Sequence, residues 1–334
     1  MPGHPNRILR EGWPFGAGRW PALPPSYVAV VCALSVLAAA ACGGPSPASA
    51  PAHTLEVFTG DYAAPLPLKP VSLKFAVIGD SGQWSRAQRE TAQQLAAQHE
   101  GFPFNAVLML GDNNYGDGSP ESYRVRFEEP YKPLLDAGVK FYAALGNHDA
   151  GPQWDYKLFN MEGHRYYTFE RVAGLLPPVV GDRVQFFALD SVNLDDEQLI
   201  WFDRASSESR AEWKIAFFHH PIYSSGRYAL SSATRRVSLE HVLVEHQVDV
   251  VFSGHEHLYE RMAPQNGVVY FVAGASGAVR TGDLRPSPYQ ALGYDRDLTF
   301  MLIEIAGDTL YFRTMNRVGE TVDRGKIVRT RLSS

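Results

Sequence analysis

Cysteine is almost absent: 334 residues contain two, Cys32 and Cys42, and both fall within the first 42. The chain beyond residue 42 therefore has no disulfide, and its stability must come from non-covalent packing or from bonds other than disulfides. A strong charge of either sign is also lacking. The formal net charge is −5, with no block of Lys and Arg and no basic stripe interleaved with aromatics. That argues against nucleic acid as a main partner. Long apolar runs are missing as well. The longest, residues 27–41, falls short of the ~20 residues a spanning helix needs. Neither a disordered nor a collagen-like bias is present, and no internal repeat is found. What remains is a chain long enough to bury one large core.

The first 42 residues read as an address. Arg7, Arg10 and Arg19 lie in a Pro- and Trp-containing head, and the uncharged run 27–41 ends in small residues, as a secretory signal does. The stretch Leu37-Ala38-Ala39-Ala40-Ala41-Cys42-Gly43-Gly44 resembles a bacterial lipoprotein box, in which the cysteine is acylated. Ala39 departs from it, because Leu is commoner there. Lipid attachment at Cys42 is the expectation, with ordinary cleavage near Ala41 or a retained short anchor as alternatives. An exported protein follows, lipid-anchored in the cell envelope or secreted.

Residues 43–70 are rich in Pro, Ala and Ser, which suits a tether; only 55–58 has the makings of a short strand. From residue 71 to 334 a single catalytic domain is expected. Short apolar runs there each end in a polar cluster. Residues 73–78 lead into Gly79-Asp80-Ser81-Gly82, and 106–110 into Gly111-Asp112-Asn113-Asn114-Tyr115. Residues 141–145 lead into Gly146-Asn147-His148-Asp149 and 215–218 into His219-His220-Pro221. Residues 248–252 precede Gly254-His255-Glu256-His257. The runs read as buried strands from their length and their Val, Phe and Leu content. Helices are expected near 85–98, 121–136, 197–207 and 233–246, and further strands at 184–189, 268–273, 300–305 and 310–314. Alternating strands and helices give an α/β fold of stacked layers. Each cluster follows the C-terminal end of a strand, where open α/β sheets bind ligands. Five such clusters argue for one site.

Taken singly the motifs are weak, since an Asp after a strand is more often a cap than a ligand. Their order is specific. Asp-x-Gly, Gly-Asp-x-x-Tyr, Gly-Asn-His-Asp, His-x-Pro and Gly-His-x-His together resemble the calcineurin-like metallophosphoesterases, and among them the purple acid phosphatases. Most metallophosphoesterases open with Asp-x-His, whose His is a metal ligand. Here that position is Gly82, and the Tyr that purple acid phosphatases use instead is present as Tyr115. The resemblance implies a four-layer α/β/β/α sandwich, two mixed sheets flanked by helices. It implies a first metal held by Asp80, Asp112, Tyr115 and His257, and a second by Asp112, Asn147, His219 and His255. Carboxylate and phenolate oxygens at the first suit a trivalent ion, and imidazoles with an amide at the second suit a divalent one. The expected cofactors are Fe(III) with Fe, Zn or Mn.

The expected reaction is hydrolysis of a small phosphate monoester, with a metal-bound hydroxide attacking phosphorus in line. His148 is expected to bind phosphate or protonate the leaving oxygen rather than to ligate. Asp149 is expected to orient a histidine. One departure stands out. Tyr228 occupies the place where many members carry a second substrate-side His, and it and the adjacent Arg227 become candidate substrate contacts along with Asn147. His220 is expected to be a packed neighbour of His219, while His99, His164, His241 and His246 carry no motif. Core packing is the expected role of the aromatics Trp154, Tyr156, Tyr166, Tyr167 and Phe169. A phosphodiesterase or nucleotidase on the same metals is the close alternative, and a binding-only surface lipoprotein the distant one.

Overall fold

The structure, a computed structural model, describes residues 53–60, 66, 68–149, 151–173 and 182–332. The expected address segment, with Cys42, lies outside the described residues. In chain order the first half runs β1 (His53–Thr59), β2 (Leu73–Ile78), α1 (Arg86–Gly101), β3 (Ala106–Met109), α2 (Pro120–Tyr123), α3 (Lys132–Asp136), β4 (Lys140–Ala143) and β5 (Tyr167–Val172). There follow β6 (Arg183–Ala188), α4 (Asp196–Glu208), β7 (Trp213–Phe218), α5 (Ala229–Glu245), β8 (Val250–Ser253), β9 (Tyr259–Met262) and β10 (Val269–Ala273). The chain closes with β11 (Gln290–Tyr294), β12 (Thr299–Ala306), β13 (Thr309–Asn316) and β14 (Thr321–Arg331).

Strand periodicity shows how the layers form. Along β2, Phe75 and Val77 face one hydrophobic core while Ala76 and Ile78 face another. Along β7, Ile215 and Phe217 enter the first of these, and Ala216 and Phe218 a third. Strands buried on both faces must lie between layers. The first core is the filling between two seven-stranded sheets, ordered β1-β14-β13-β12-β2-β3-β4 and β11-β9-β10-β8-β7-β6-β5. The second packs α1 and α3 side chains such as Leu95 and Leu134 on the outer face of one sheet. The third packs Phe202 of α4 with Leu239 and Leu243 of α5 on the other. Both sheets are mixed: β2, β3 and β4 are parallel, as are β6, β7, β8 and β10, with antiparallel strands outside them. This is the expected α/β/β/α sandwich.

Local signals set the helix ends. Ser85 caps α1 by accepting from Gln88 N at 3.0 Å, and Asp195 caps α4 by accepting from Gln198 N at 2.9 Å. The helix expected over 121–136 is broken into α2, a π-helical stretch Arg124–Glu128 and α3. Pro133 at the start of α3 has no N–H to continue the ladder, which accounts for the break. The short strand expected at 55–58 is β1, which pairs with β14 along all seven of its residues. The sheet therefore takes in chain upstream of residue 71. Strands β5, β9, β11 and β14 were not foreseen. The polar-rich sequence Thr-Val-Asp-Arg-Gly-Lys-Ile-Val-Arg-Thr-Arg of β14 alternates buried and exposed, as a half-exposed strand does.

Candidate metal centre

The C-terminal ends of β2, β3, β4, β7 and β8 come together where the two sheets meet, and each delivers one of the five motifs. Backbone geometry there is unusual. Asp80, Asp112 and His255 have φ of 53°, 51° and 68°, a left-handed conformation that few non-glycine residues adopt. Each chain leaves its strand and at once turns its side chain inward. Glycine makes room for this. A Cβ on Gly254 would sit 2.6 Å from Asp80 Oδ2, and one on Gly146 would collide with the backbone and carboxylate of Asp112. Bonds across the seam hold the two halves in register: Ser276 N donates to Gly79 O at 3.0 Å, and Gly79 N to Ser276 Oγ at 3.1 Å.

The candidate ligands separate into two groups. In the first, Tyr115 Oη lies 3.1 Å from His257 Nε2 and 3.4 Å from Asp80 Oδ1, and His257 Nε2 is 3.3 Å from Asp80 Oδ1. In the second, His219 Nε2 lies 3.0 Å from Asn147 Oδ1, 3.2 Å from His255 Nδ1 and 3.4 Å from Asp112 Oδ1. Asp112 also clusters with Asp80 and His257, so its carboxylate stands between the groups. Ligand atoms on an ion with bonds of about 2.1 Å are about 3.0 Å apart at a right angle and about 3.4 Å at a tetrahedral one. The spacings fit.

Protonation favours cations too. Burial and then the Asp112 carboxylate hold the Asp80 carboxyl well above its ordinary range. Burial, then Asp80 and Asp112, raise the Tyr115 phenol in the same way. Acids crowded out of water need a positive partner to ionise. The imidazoles are shifted the other way by burial, His255 and His257 to about 4 and His219 well below its usual value. They are neutral at pH 7, with a lone pair to give. For His219 the tautomer is fixed: the Leu110 carbonyl, 2.9 Å from Nδ1, only accepts, so Nδ1 carries the proton and Nε2 faces Asn147 as the donor atom. The donor set fits two ions.

Supporting residues surround the groups. Asp149 accepts from Gly146 N at 2.8 Å, Asn114 N at 3.0 Å, Gln153 Nε2 at 2.9 Å and Asn113 Nδ2 at 3.0 Å. It ties the Asn147 turn to the Asp112 loop rather than reaching a histidine. Burial and then Asp112 push its carboxyl up to about 8. His148 donates its backbone N–H to Asp112 Oδ1 at 2.8 Å, and its exposed ring lies 4.8 Å from that of Tyr115. His220 is buried, with Nδ1 3.1 Å from Ser191 Oγ, yet it clusters loosely with His219 and His255. Tyr228 is exposed with its ring 4.8 Å from that of His255, whereas Arg227 is paired with Asp283 at 2.9 Å. Among the aromatics, Tyr156 stacks on Tyr123, and Trp154, Tyr156 and Tyr167 pack on the core of the first sheet. Tyr166 instead lies against Trp201 in an open cavity of about 820 Å³.

Sequence reasoning missed two residues. Buried Glu256, between the paired histidines, accepts from Tyr228 N and fixes the Tyr228 turn. Arg280 follows β10, an expected strand whose end carries Gly274, Gly277 and a cation. The strand-end rule applied there would have found it.

Residues 73–259 match the calcineurin-like phosphoesterase family. Purple acid phosphatase 7 of Arabidopsis thaliana is 24% identical over 77% of this chain and 86% of its own length. Tartrate-resistant acid phosphatase type 5 of Mus musculus is 23% identical over 74% and 91%. Among solved structures, purple acid phosphatase PPD1 from yellow lupin (Lupinus luteus) seeds superposes with TM-score 0.60 at 18% identity, covering 78% of this chain and 55% of that one. GAP50, the anchor in the inner membrane complex of Plasmodium, superposes at 0.65 with 16% identity over 79% and 90%. These similarities join the two ligand groups to a known chemistry: the chain belongs to the calcineurin-like phosphoesterases and is a metal-dependent phosphoester hydrolase of the purple acid phosphatase type.

Proposed function

We propose that this hydrolase carries a binuclear centre of Fe(III) and a divalent Fe, Zn or Mn ion, and that it cleaves phosphate monoesters. One observation carries the reading: the ligands fall into an oxygen-rich group containing Tyr115 and a nitrogen-rich group containing His219 and His255, each spaced for one ion. Support comes from similar proteins, one of them named Fe(3+)-Zn(2+) purple acid phosphatase 12 of Arabidopsis thaliana. Asp80, Asp112, Tyr115 and His257 would hold the first ion, and Asp112, Asn147, His219 and His255 the second.

Ions held there supply Lewis acidity to the phosphoryl group and an activated water as nucleophile. The chain's own residues do the rest. The Leu110 carbonyl keeps His219 in its donor tautomer. Asp149 holds the Asn147 turn in place through its four donors. His148, exposed beside Tyr115, hydrogen-bonds the phosphoryl group or gives a proton to the leaving oxygen. Tyr228 and Asn147 line the substrate side. Metal analysis with a visible spectrum tests the centre, and hydrolysis of an aryl phosphate against its bis-aryl diester tests the substrate. Equal or faster diester turnover would favour the phosphodiesterase reading.

Export, with lipid attachment at Cys42, belongs to the same reading. No helix among the described residues is long and apolar enough to cross a membrane. Mass spectrometry of the mature N-terminus, with and without Cys42→Ser, decides between acylation and ordinary cleavage.

A further inference from the structure

The loop that follows β10 runs directly beneath the first ligand group. A Cβ on Gly274 would lie 2.8 Å from Asp80 Oδ2, and one on Gly277 would lie 3.0 Å from Ser81 backbone carbon. Threaded this closely, the loop has little freedom at its far end, where Arg280 N donates to His257 O at 2.9 Å. The backbone of Arg280 is thereby pinned to the chain that carries both Gly-His-x-His ligands.

Its side chain is poorly satisfied. Nη2 lies 3.4 Å from His257 Nε2 and Nη1 3.5 Å from His255 O, both long for a guanidinium. The guanidinium carbon stands 5.5 Å from the centre of the Tyr228 ring, within cation–π range. No carboxylate among the described residues pairs with it, although Asp283 lies three residues on. Arg227 engages Asp283 instead, at 2.9 Å.

An ion on His257 Nε2 would take the acceptor that Nη2 now faces and would repel the guanidinium. An anion placed between them relieves that repulsion and satisfies both. A guanidinium presents several N–H donors in a fork that matches phosphoryl oxygens, which a lone imidazole does not. We propose that Arg280, braced by the Tyr228 ring, binds the phosphoryl group at the metal centre and supplies the substrate contact that a second histidine at position 228 would otherwise give. This rests on the hydrolase reading above. A trivalent and a divalent ion outweigh the negative charge of Asp80, Asp112 and Tyr115, and Arg280 enlarges the surplus. A dianionic monoester complements that field better than a monoanionic diester does.

The test uses the full metal-loaded protein and the variants R280A, R280K and R285A. Inorganic phosphate binding is measured by calorimetry, metal content by elemental analysis, and KM and kcat on an aryl phosphate and its bis-aryl diester. In R280A, phosphate should bind roughly tenfold or more weakly, the weight of one charge-assisted hydrogen bond. KM for the monoester should rise by a similar factor, the diester should change less, and the metal content should hold. R280K should recover part of the loss. R285A, which removes the same charge further along the loop, should bind phosphate as the wild type does. Phosphate binding unchanged in R280A overturns the proposal, and so does loss of metal, which would make Arg280 a support for the ligands. If the wild type hydrolyses neither ester, the hydrolase reading fails by itself, and the phosphate titration still decides the role of Arg280.

Discussion

Tyr115 Oη stands 3.1 Å from His257 Nε2, although the two residues are 142 positions apart and follow strands of different sheets. With Asp80 they form a group in which the phenol is the only non-carboxylate oxygen. Tyr115→Phe should abolish a phenolate-to-iron absorption band and lower activity roughly 10- to 100-fold. A visible spectrum and steady-state rates check this. A colourless wild type, with the variant equally active, would move the chain to the metallophosphoesterases without a tyrosine ligand.

Position 82 leaves no room for a side chain. A Cβ at that position would fall on the backbone of Asn113 and lie 2.5 Å from Asn114 N. The two loops interlock there, Gly82 N donating to Asp112 O at 3.1 Å and Tyr115 N to Gly82 O at 3.2 Å. A histidine at 82 would push away the loop that brings Tyr115 in. Gly82→Ala should therefore destabilise the fold by about 1–3 kcal/mol, the usual cost of overpacking, in denaturant titration. A fully stable variant would show that the loop yields easily.

The two neighbouring histidines should behave differently. His219 Nε2 touches three candidate ligand atoms, whereas His220 spends Nδ1 on Ser191. His219→Gln should lose the second ion, while His220→Gln should retain both, by elemental analysis after dialysis. Loss of an ion from His220→Gln would bring that residue into the ligand set.

The metal-free protein should have a characteristic pH profile. Asp149, with its carboxyl raised to about 8, contributes stability that is complete below the ordinary value of 3.8 and lost as pH rises through about 8. Asp80 acts in the same direction. His255 and His257, lowered to about 4, contribute stability that is present above about 6.5 and lost as pH falls through about 4. The two trends oppose between about 4 and 6.5, leaving only the carboxyl trend up to about 8. Thermal melts should show metal-free Tm falling from pH 6.5 to 8, with a shallower fall in Asp149→Asn. Metal should reverse the slope, because ions bind the deprotonated ligands. A flat metal-free profile would mean that these acids are ionised without the ions.

Much of this was legible in the sequence, because strands buried on both faces have an unmistakable composition and each ends in a polar motif. That rule marked the clusters holding Asp80, Asp112, Asn147, His219 and His255, and the family resemblance, not the rule, made them candidate ligands. The same rule applied after β10 points to the loop of Arg280, but that its guanidinium lacks a carboxylate partner among the described residues is a fact of three dimensions. Strands such as β14 were hidden for another reason. Both its faces carry charge, Arg324 and Lys326 on the half-exposed one and Asp323 and Arg329 on the buried one, so no clean apolar alternation marks it. The collision at Gly82 is a property of two loops, and no single stretch of sequence contains it.

The seam between the sheets has one further meaning. Each ligand group draws on both: Asp80, Asp112 and Tyr115 meet His257, and Asp112 and Asn147 meet His219 and His255. An ion in either group would thus be a removable cross-link, closing a loop at least 72 residues long between the halves of a body that has no cysteine. Chelation would act on this protein as a reducing agent acts on a disulfide-bonded one, leaving two half-sandwiches held by their apolar filling and by seam hydrogen bonds such as those between Gly79 and Ser276.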